Sequence, residues 1–342
     1  MTAKFLLSKS KLLEQYNLLK SQDLSISYSY KTNREVGNLL QTLVPECEFS
    51  IHNIDEIQLI KNKSKIWFFT QANSKEEIKE ILNQGVSNFV IDNESDLQIL
   101  LSSITNQKIN LALRMKFNEH RIGSGRYYVY GMPSNKINDL VSQLKPRDCI
   151  NQLGIHIHRK SQNTTEWNIS SELQDSLSES SLQTISFINL GGGLPVKYKT
   201  HSADVMPYIL EQIKLTQDFL SKHNIKCHIE PGRFLAAPAI KLQAQVIQIH
   251  DNTLVLDCSI YNSALDTIIT SIRLLVENEL PENEGKSYLI KGNTPARDDI
   301  FRYKACLPKT KIGDTITFLN AGAYNYKTDF CHVQKLPTEI VP

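Results

Sequence analysis

The sequence lacks an excess of either charge: its 342 residues carry 38 Lys and Arg against 36 Asp and Glu, a formal balance of 38 − 36 = +2. A chain that binds nucleic acid through its phosphates needs a basic surplus, so no polyanion partner is expected. Long apolar runs are missing too, and the mean hydropathy is −0.29, which argues against a membrane span. Met1-Thr2-Ala3-Lys4 leads into polar, charged sequence, so no secretory leader is expected either. Cysteine is sparse: Cys47, Cys149, Cys227, Cys258, Cys306 and Cys331 never form a C-x-x-C pair, which disfavours a zinc knuckle or a disulfide framework. Together these absences predict a cytoplasmic protein with reduced thiols.

What is present suffices for a folded core, because 41% of residues are hydrophobic. A length prior of about 150 residues per domain suggests two domains. From about residue 24 to 240, short β-branched or aromatic runs alternate with helical periodicity. The strands are predicted at 24–30, 46–51, 66–69, 88–91, 110–115, 152–158, 184–190 and 226–230. Between them, 74–84 reads as a helix with Ser74 as N-cap, Glu77 three residues on, and Ile78, Ile81 and Leu82 on one face. Eight parallel strands alternating with helices imply an α/β fold, a (β/α)8 TIM barrel. After Pro238 the texture becomes β-rich, with strands expected at 242–249, 253–256, 287–291 and 315–319. The expected division is a barrel over 9–240 and a C-terminal β-rich domain over 241–342, joined by a strand from 1–8.

A (β/α)8 barrel places its chemistry at the C-terminal ends of its strands. The first strand closes on Tyr28-Ser29-Tyr30-Lys31-Thr32-Asn33. Lys31 is either the first solvated loop residue or a desolvated amine able to form a Schiff base. The sixth closes on Gly154-Ile155-His156-Ile157-His158-Arg159, with two histidines pointing the same way. They suit stacking, hydrogen bonding or a structural role better than metal, for which no third ligand follows at a convincing spacing. The seventh runs into Gly191-Gly192-Gly193, where glycines either form a tight turn or let backbone N–H groups approach an anion. The eighth closes on Glu230-Pro231-Gly232-Arg233, a carboxylate aimed at the axis that Lys31 faces, or half of a structural ion pair.

These segments, in order, resemble the fold-type III pyridoxal-phosphate decarboxylases, the ornithine, diaminopimelate and carboxynorspermidine decarboxylase group. The resembling motifs are Tyr28-x-x-Lys31-x-Asn33, Gly191–Gly193, Glu230–Arg233 and Gly322-Ala323-Tyr324, with Phe330 beyond. The resemblance implies the barrel of the alanine racemase and decarboxylase type, pyridoxal 5′-phosphate as cofactor and a homodimer with shared sites. It also implies roles. Lys31 would hold the cofactor and carry protons, Glu230 would keep the pyridine nitrogen protonated, and His156 would stack on the ring. Gly191, Gly192, Gly193, Gly232, Arg233 and Tyr324 would hold the phosphate side. Asp257, His158, Phe330 and Arg297 are the candidates for contact with substrate.

Two departures bear on specificity. Pro295 stands where the family motif reaching the neighbouring subunit has its catalytic cysteine, although Gly292 and Asp299 keep their spacing. Ser50 replaces an acidic residue of the family in Glu48–Glu56. Arg297, beside Pro295, suggests an anionic substrate tail gripped by a forked donor, or else a salt bridge with Asp298 or Asp299. The stretches 256–263 and 320–325 look most like the branch that decarboxylates citrate-conjugated amino acids in siderophore assembly, which implies N-citrylornithine to N-citrylputrescine. The alternatives are a free basic amino acid (ornithine, lysine or diaminopimelate) or carboxynorspermidine. A racemase, which Glu230 argues against, and a non-catalytic cofactor-binding homologue complete the set.

Overall fold

The computed structural model describes residues 2–117, 130–145 and 147–342. After β1 (Lys4–Ser8) come eight strands: β2 (Ser25–Ser29), β3 (Glu48–Ile51), β4 (Ile66–Thr70), β5 (Asn88–Ile91), β6 (Ile109–Met115), β7 (Ile150–Ile157), β8 (Phe187–Asn189) and β9 (Lys226–Ile229). Each pairs in parallel with the next, and β2 pairs with β9, closing the barrel. Strands such as β5 are buried on both faces, which is why they read as continuous apolar runs. The helix Lys75–Asn83 has the expected start: Ser74 and Glu77 form a reciprocal capping box, and Ile78, Ile81 and Leu82 are buried.

The barrel interior is layered in steps of two residues. Trp67, Val90, Ala112 and Phe187 form one packed layer, with Phe69 against it. Gly154 belongs to the same level, since a Cβ there would lie 2.5 Å from the Phe187 ring. One step towards the C-terminal end, the register aligns Arg114 with His156 and His156 with Asn189. Polar chemistry therefore begins one layer above an apolar plug.

The second sheet contains β10 (Ile240–His250), β11 (Thr253–Leu256), β12 (Leu275–Val276), β13 (Lys286–Lys291), β14 (Ile300–Leu307), β15 (Thr315–Leu319) and β16 (Thr338–Val341), in the order β12-β15-β10-β11-β13-β14. β1 joins it, antiparallel to β10 and parallel to β16. Burial along β10 alternates over its first seven residues, as in a sheet with one face open.

Some elements depart from the sequence reading. β8 is shorter than 184–190 because Thr184 N and Ile185 N still donate back to Ser181 O of the helical turn Glu179–Leu182, so pairing starts only at Phe187. β14 was not expected, since Arg302 and Lys304 interrupt its apolar pattern. Arg302 is nevertheless buried, its guanidinium forked onto Glu279 at 2.8 and 2.6 Å, and that pairing lets a charge occupy a core strand. β12 and β16 were also unforeseen; they are short and gain their order by pairing with β15 and β1.

Candidate active site

A cavity of about 830 Å3 opens at the C-terminal end of the barrel. Lys31, His156, His158, Gly192, Gly193, Glu230, Gly232, Arg233 and Tyr324 line it, so the structure brings together nine of the sequence candidates. Gly191 lies just behind, with φ +69° and its α-carbon packed where a Cβ would strike the Ile157 carbonyl. A Cβ at Gly192 would lie 2.7 Å from the Glu230 carbonyl oxygen. Only glycine permits this close passage of loop against strand end.

Glu230 sits in the floor and is ionised. Its Oε1 accepts from Ser50 Oγ at 2.8 Å and Asn189 Nδ2 at 3.0 Å, and its Oε2 accepts from His156 Nε2 at 2.9 Å. Ser27 Oγ lies 2.8 Å behind Ser50. Burial opposes the charge, but His156 and Ser50 outweigh it and hold the carboxyl at about 2. The alternative reading of Glu230 as half of an ion pair with Arg233 does not hold. Arg233 instead binds Asp266 and, at 3.1 Å, the Tyr198 hydroxyl.

Lys31 stands at the cavity mouth with protein on most sides. Burial lowers its proton affinity and Arg114 adds to the effect, against the pull of Glu230. His52, stacked on Phe69 with centroids 4.5 Å apart, is held neutral at about 3 by burial and then by Lys31. The β-domain clamps this corner. Asn33 Nδ2 donates to Gly322 O at 2.9 Å, and Tyr324 N donates to Thr32 O at 3.0 Å, which seats Tyr324 5.2 Å from the Arg233 guanidinium.

Three substrate candidates lie elsewhere in this chain. The Arg297 side chain is 91% exposed and pairs with Asp298 at 3.1 Å. Asp257 accepts from Gln245 N at 2.8 Å inside the β-domain, and the Phe330 ring, exposed, packs on Tyr261 at 4.6 Å. Asp299 is fully buried, accepting from Ile260 N, Thr294 N and Thr294 Oγ1, so it shapes the 292–299 loop from within. Sequence reasoning missed Asn189, Asp92, Arg114 and the binding role of Ser50. The signal for all four was present: each lies at or just past the end of a barrel strand, on its inward-facing register.

The residues fit pyridoxal phosphate. A carboxylate offers about four acceptor directions, and three of those on Glu230 are taken, leaving one for a pyridine N–H. The glycine loop, Arg233 and Tyr324 form the opposite, phosphate-sized end, and Lys31 supplies an amine of lowered proton affinity. Among the described residues no group of three or more His, Cys, Asp or Glu side chains is placed to hold a metal ion. Nor is any helix long and apolar enough to cross a membrane.

Comparison with known proteins gives the same picture. Residues 10–237 match the family described as pyridoxal-dependent decarboxylase, pyridoxal binding domain. Diaminopimelate decarboxylase of Campylobacter jejuni is 23% identical over 341 residues, 93% of this chain and 84% of that protein. Carboxynorspermidine/carboxyspermidine decarboxylase of the same species is 32% identical over 150 residues, 39% of this chain and 37% of that protein. Among solved structures, diaminopimelate decarboxylase from Helicobacter pylori complexed with L-lysine superposes with a TM-score of 0.83 at 18% identity, covering 100% of this chain and 92% of that one. Lysine/ornithine decarboxylase from Vibrio vulnificus complexed with putrescine gives 0.79 at 20%, covering 99% and 94%.

Proposed function

The chain belongs to the pyridoxal-dependent decarboxylases, and from that premise we propose that it acts on an L-α-amino acid whose side chain ends in carboxylates, with N-citrylornithine as the specific substrate. The observation that carries this reading is the charge left over in the cavity. Among the described residues six cations line it (Lys31, Arg114, Lys116, Arg159, Lys160, Arg233) against two carboxylates, Asp92 and Glu230. Four of the six are engaged: Arg114 with Asp92, Arg159 with Glu166 and Glu172, Lys160 with Glu166, and Arg233 with Asp266. Lys31 is the amine that holds the cofactor. Lys116 remains, with no ion-pair partner among the described residues and no task in cofactor binding.

The net reaction is RCH(NH3+)CO2− + H+ → RCH2NH3+ + CO2: the Cα–carboxylate bond breaks, its electron pair stays on Cα, and one proton is delivered there. Bound pyridoxal phosphate supplies the electron sink for that pair. The protein's part is electrostatic and positional. Glu230, ionised and held by three donors, keeps a proton on the pyridine nitrogen. His156 donates to Glu230 Oε2 while presenting its ring to the cavity, and Lys31 is the amine placed to deliver the proton to Cα. Pro295 removes the family cysteine from that duty. A cytoplasmic homodimer in which Arg297 and Phe330 complete the partner's cavity is part of the same proposal, since both are exposed and free to do so.

A free basic substrate is the second reading, favoured by the presence of Asp92 on the wall. That carboxylate is partly engaged, however, because its Oδ1 accepts from Arg114 at 3.2 Å and from Gly131 N at 3.0 Å and its charge is paired with the Arg114 guanidinium. The test is CO2 release by the pyridoxal-phosphate-loaded protein from N-citryl-L-ornithine, L-ornithine, L-lysine and diaminopimelate. Turnover of the last three without the first would refute the anionic assignment. The Lys31→Ala protein should lose the absorbance band of bound cofactor; persistence of the band would overturn the site.

A further inference from the structure

We infer that the β6–β7 wall of the cavity, formed by Arg114, Lys116 and His158, is a carboxylate-binding subsite that receives the tail of the substrate. The inference rests on the anionic-substrate reading above and says where recognition happens. It follows from the two-residue stepping of the barrel interior. Ala112 lies in the apolar layer, so Arg114 stands one layer above it and Lys116 one above that, at the mouth. On the neighbouring strand the same steps run from Gly154 to His156 to His158. The pairing of Arg114 with His156 and Met115 with Ile157 brings Lys116 and His158 to the same height.

Each of the three side chains offers N–H donors and no acceptor to the cavity. Gly192 N donates to His158 Nδ1 at 3.2 Å. An imidazole that accepts at Nδ1 carries its proton on Nε2, so the ring is locked as a donor on its other edge. Burial, then the nearby His156 and Arg114, keep it neutral at about 3, so this tautomer persists across the working pH range. Arg114 uses one N–H on Asp92, stacks on the Tyr130 ring at 4.9 Å, and keeps its remaining donors. Lys116 contributes a charge with no ion-pair partner among the described residues. Three donors side by side suit a carboxylate, and the one acceptor beside them among the described residues, Asp92, already shares its Oδ1 between Arg114 and Gly131 N, so an ammonium tail finds the poorer fit.

The test uses the loaded enzyme with three substrates that differ only in tail: L-ornithine, N5-acetyl-L-ornithine (neutral) and N5-succinyl-L-ornithine (anionic). Wild type is expected to prefer the succinyl over the acetyl substrate by roughly tenfold or more in kcat/KM, the scale of a charge-assisted contact. Lys116→Met should remove that preference by raising KM for the succinyl substrate far more than for the acetyl one; Lys116→Arg should restore it, and Lys116→Glu should invert it. Titration calorimetry with N5-succinylputrescine should show the same loss of affinity in Lys116→Met. If wild type itself shows no preference for the anionic tail, the substrate reading fails and the subsite with it. If wild type prefers the anionic tail and Lys116→Met keeps that preference, the subsite assignment alone is overturned.

Discussion

Replacing Ser50 by Ala tests the physics of the cavity floor most directly. Ser50 Oγ donates to Glu230 Oε1 at 2.8 Å in a buried setting, and its own oxygen is backed by Ser27. A hydrogen bond to a charged group is worth about 1.5–3 kcal/mol, and 1.36 kcal/mol corresponds to one pH unit. Losing it should raise the Glu230 carboxyl from about 2 to roughly 3–4. Asn189 and His156 remain, so the group stays ionised at neutral pH but less firmly.

The sign follows from linkage. Glu230 is depressed below the ordinary 4.5 of a glutamate, so its ionisation stabilises the fold fully above that value, and the contribution is lost as pH falls through about 2. In Ser50→Ala the loss begins at the same pH and is complete sooner, as pH falls through roughly 3–4. The variant's deficit should therefore be constant above pH 4.5 and shrink as both proteins become protonated. Urea unfolding from pH 7 down to the acid limit measures the deficit, and 13C-carboxyl NMR, with Glu230→Gln to assign the resonance, reads the titration itself. Ser27→Ala, one bond removed, should shift Glu230 less. An unchanged Glu230 titration in Ser50→Ala would refute the argument that this hydroxyl holds the carboxylate.

Three further outcomes are expected. Gly192→Ala forces a Cβ to within 2.7 Å of the Glu230 carbonyl, and overpacking of that kind costs about 1–3 kcal/mol, so affinity for pyridoxal phosphate should drop roughly 10- to 100-fold by fluorescence titration, with wild-type affinity contradicting the close passage. Arg302→Met leaves Glu279, 15% exposed, without its fork; urea unfolding should show about 3 kcal/mol lost, and a loss under 1 kcal/mol would show that the pair is not structural. Arg297→Ala should raise KM for a polyanionic substrate if this exposed guanidinium enters a partner's cavity, whereas unchanged KM returns it to its pairing with Asp298.

Much of the barrel was legible because its strands are buried on both faces and leave little choice of residue. Asn88–Ile91 needed only its apolar run, and the helix at Lys75–Asn83 needed only Ser74, Glu77 and a three-four spacing. The site was legible where a motif concentrates several groups at one strand end, as at Glu230–Arg233. It was opaque where a function is shared between strands. Ser50 read as a lost acid, yet what replaces that acid is a neutral donor whose value depends on Glu230, 180 residues away. Asp92 and Arg114 carry no local motif; their pairing follows from the closure of β5 on β6 and from a register that only three dimensions fix. Arg302 failed for the converse reason, since its charge disguised a core strand until Glu279 came alongside.

The near-neutral total of +2 conceals a division that matters for recognition. The described lining side chains sum to 6 − 2 = +4, against 2 − 4 = −2 for all other residues of the chain. Behind the lining stand Glu166, Glu172 and Asp266, whose three charges lower the local sum to 4 − 3 = +1. A bound phosphate carries about −1.5 to −2 and more than cancels that remainder. A loaded cavity consequently has no general attraction for anions, and screening over about 8 Å at physiological ionic strength removes what a distant surface could add. Selection of a carboxylate tail must then come from position. Gly193, Arg233 and Tyr324 lie on the β8–β9 side and Arg114 and Lys116 project from β6, while His158 on β7 sits between them, its Nδ1 accepting from Gly192 N. A carboxylate tail held by Arg114 and Lys116 would therefore be selected by where its charge falls within one nearly neutral cavity, not by a general field.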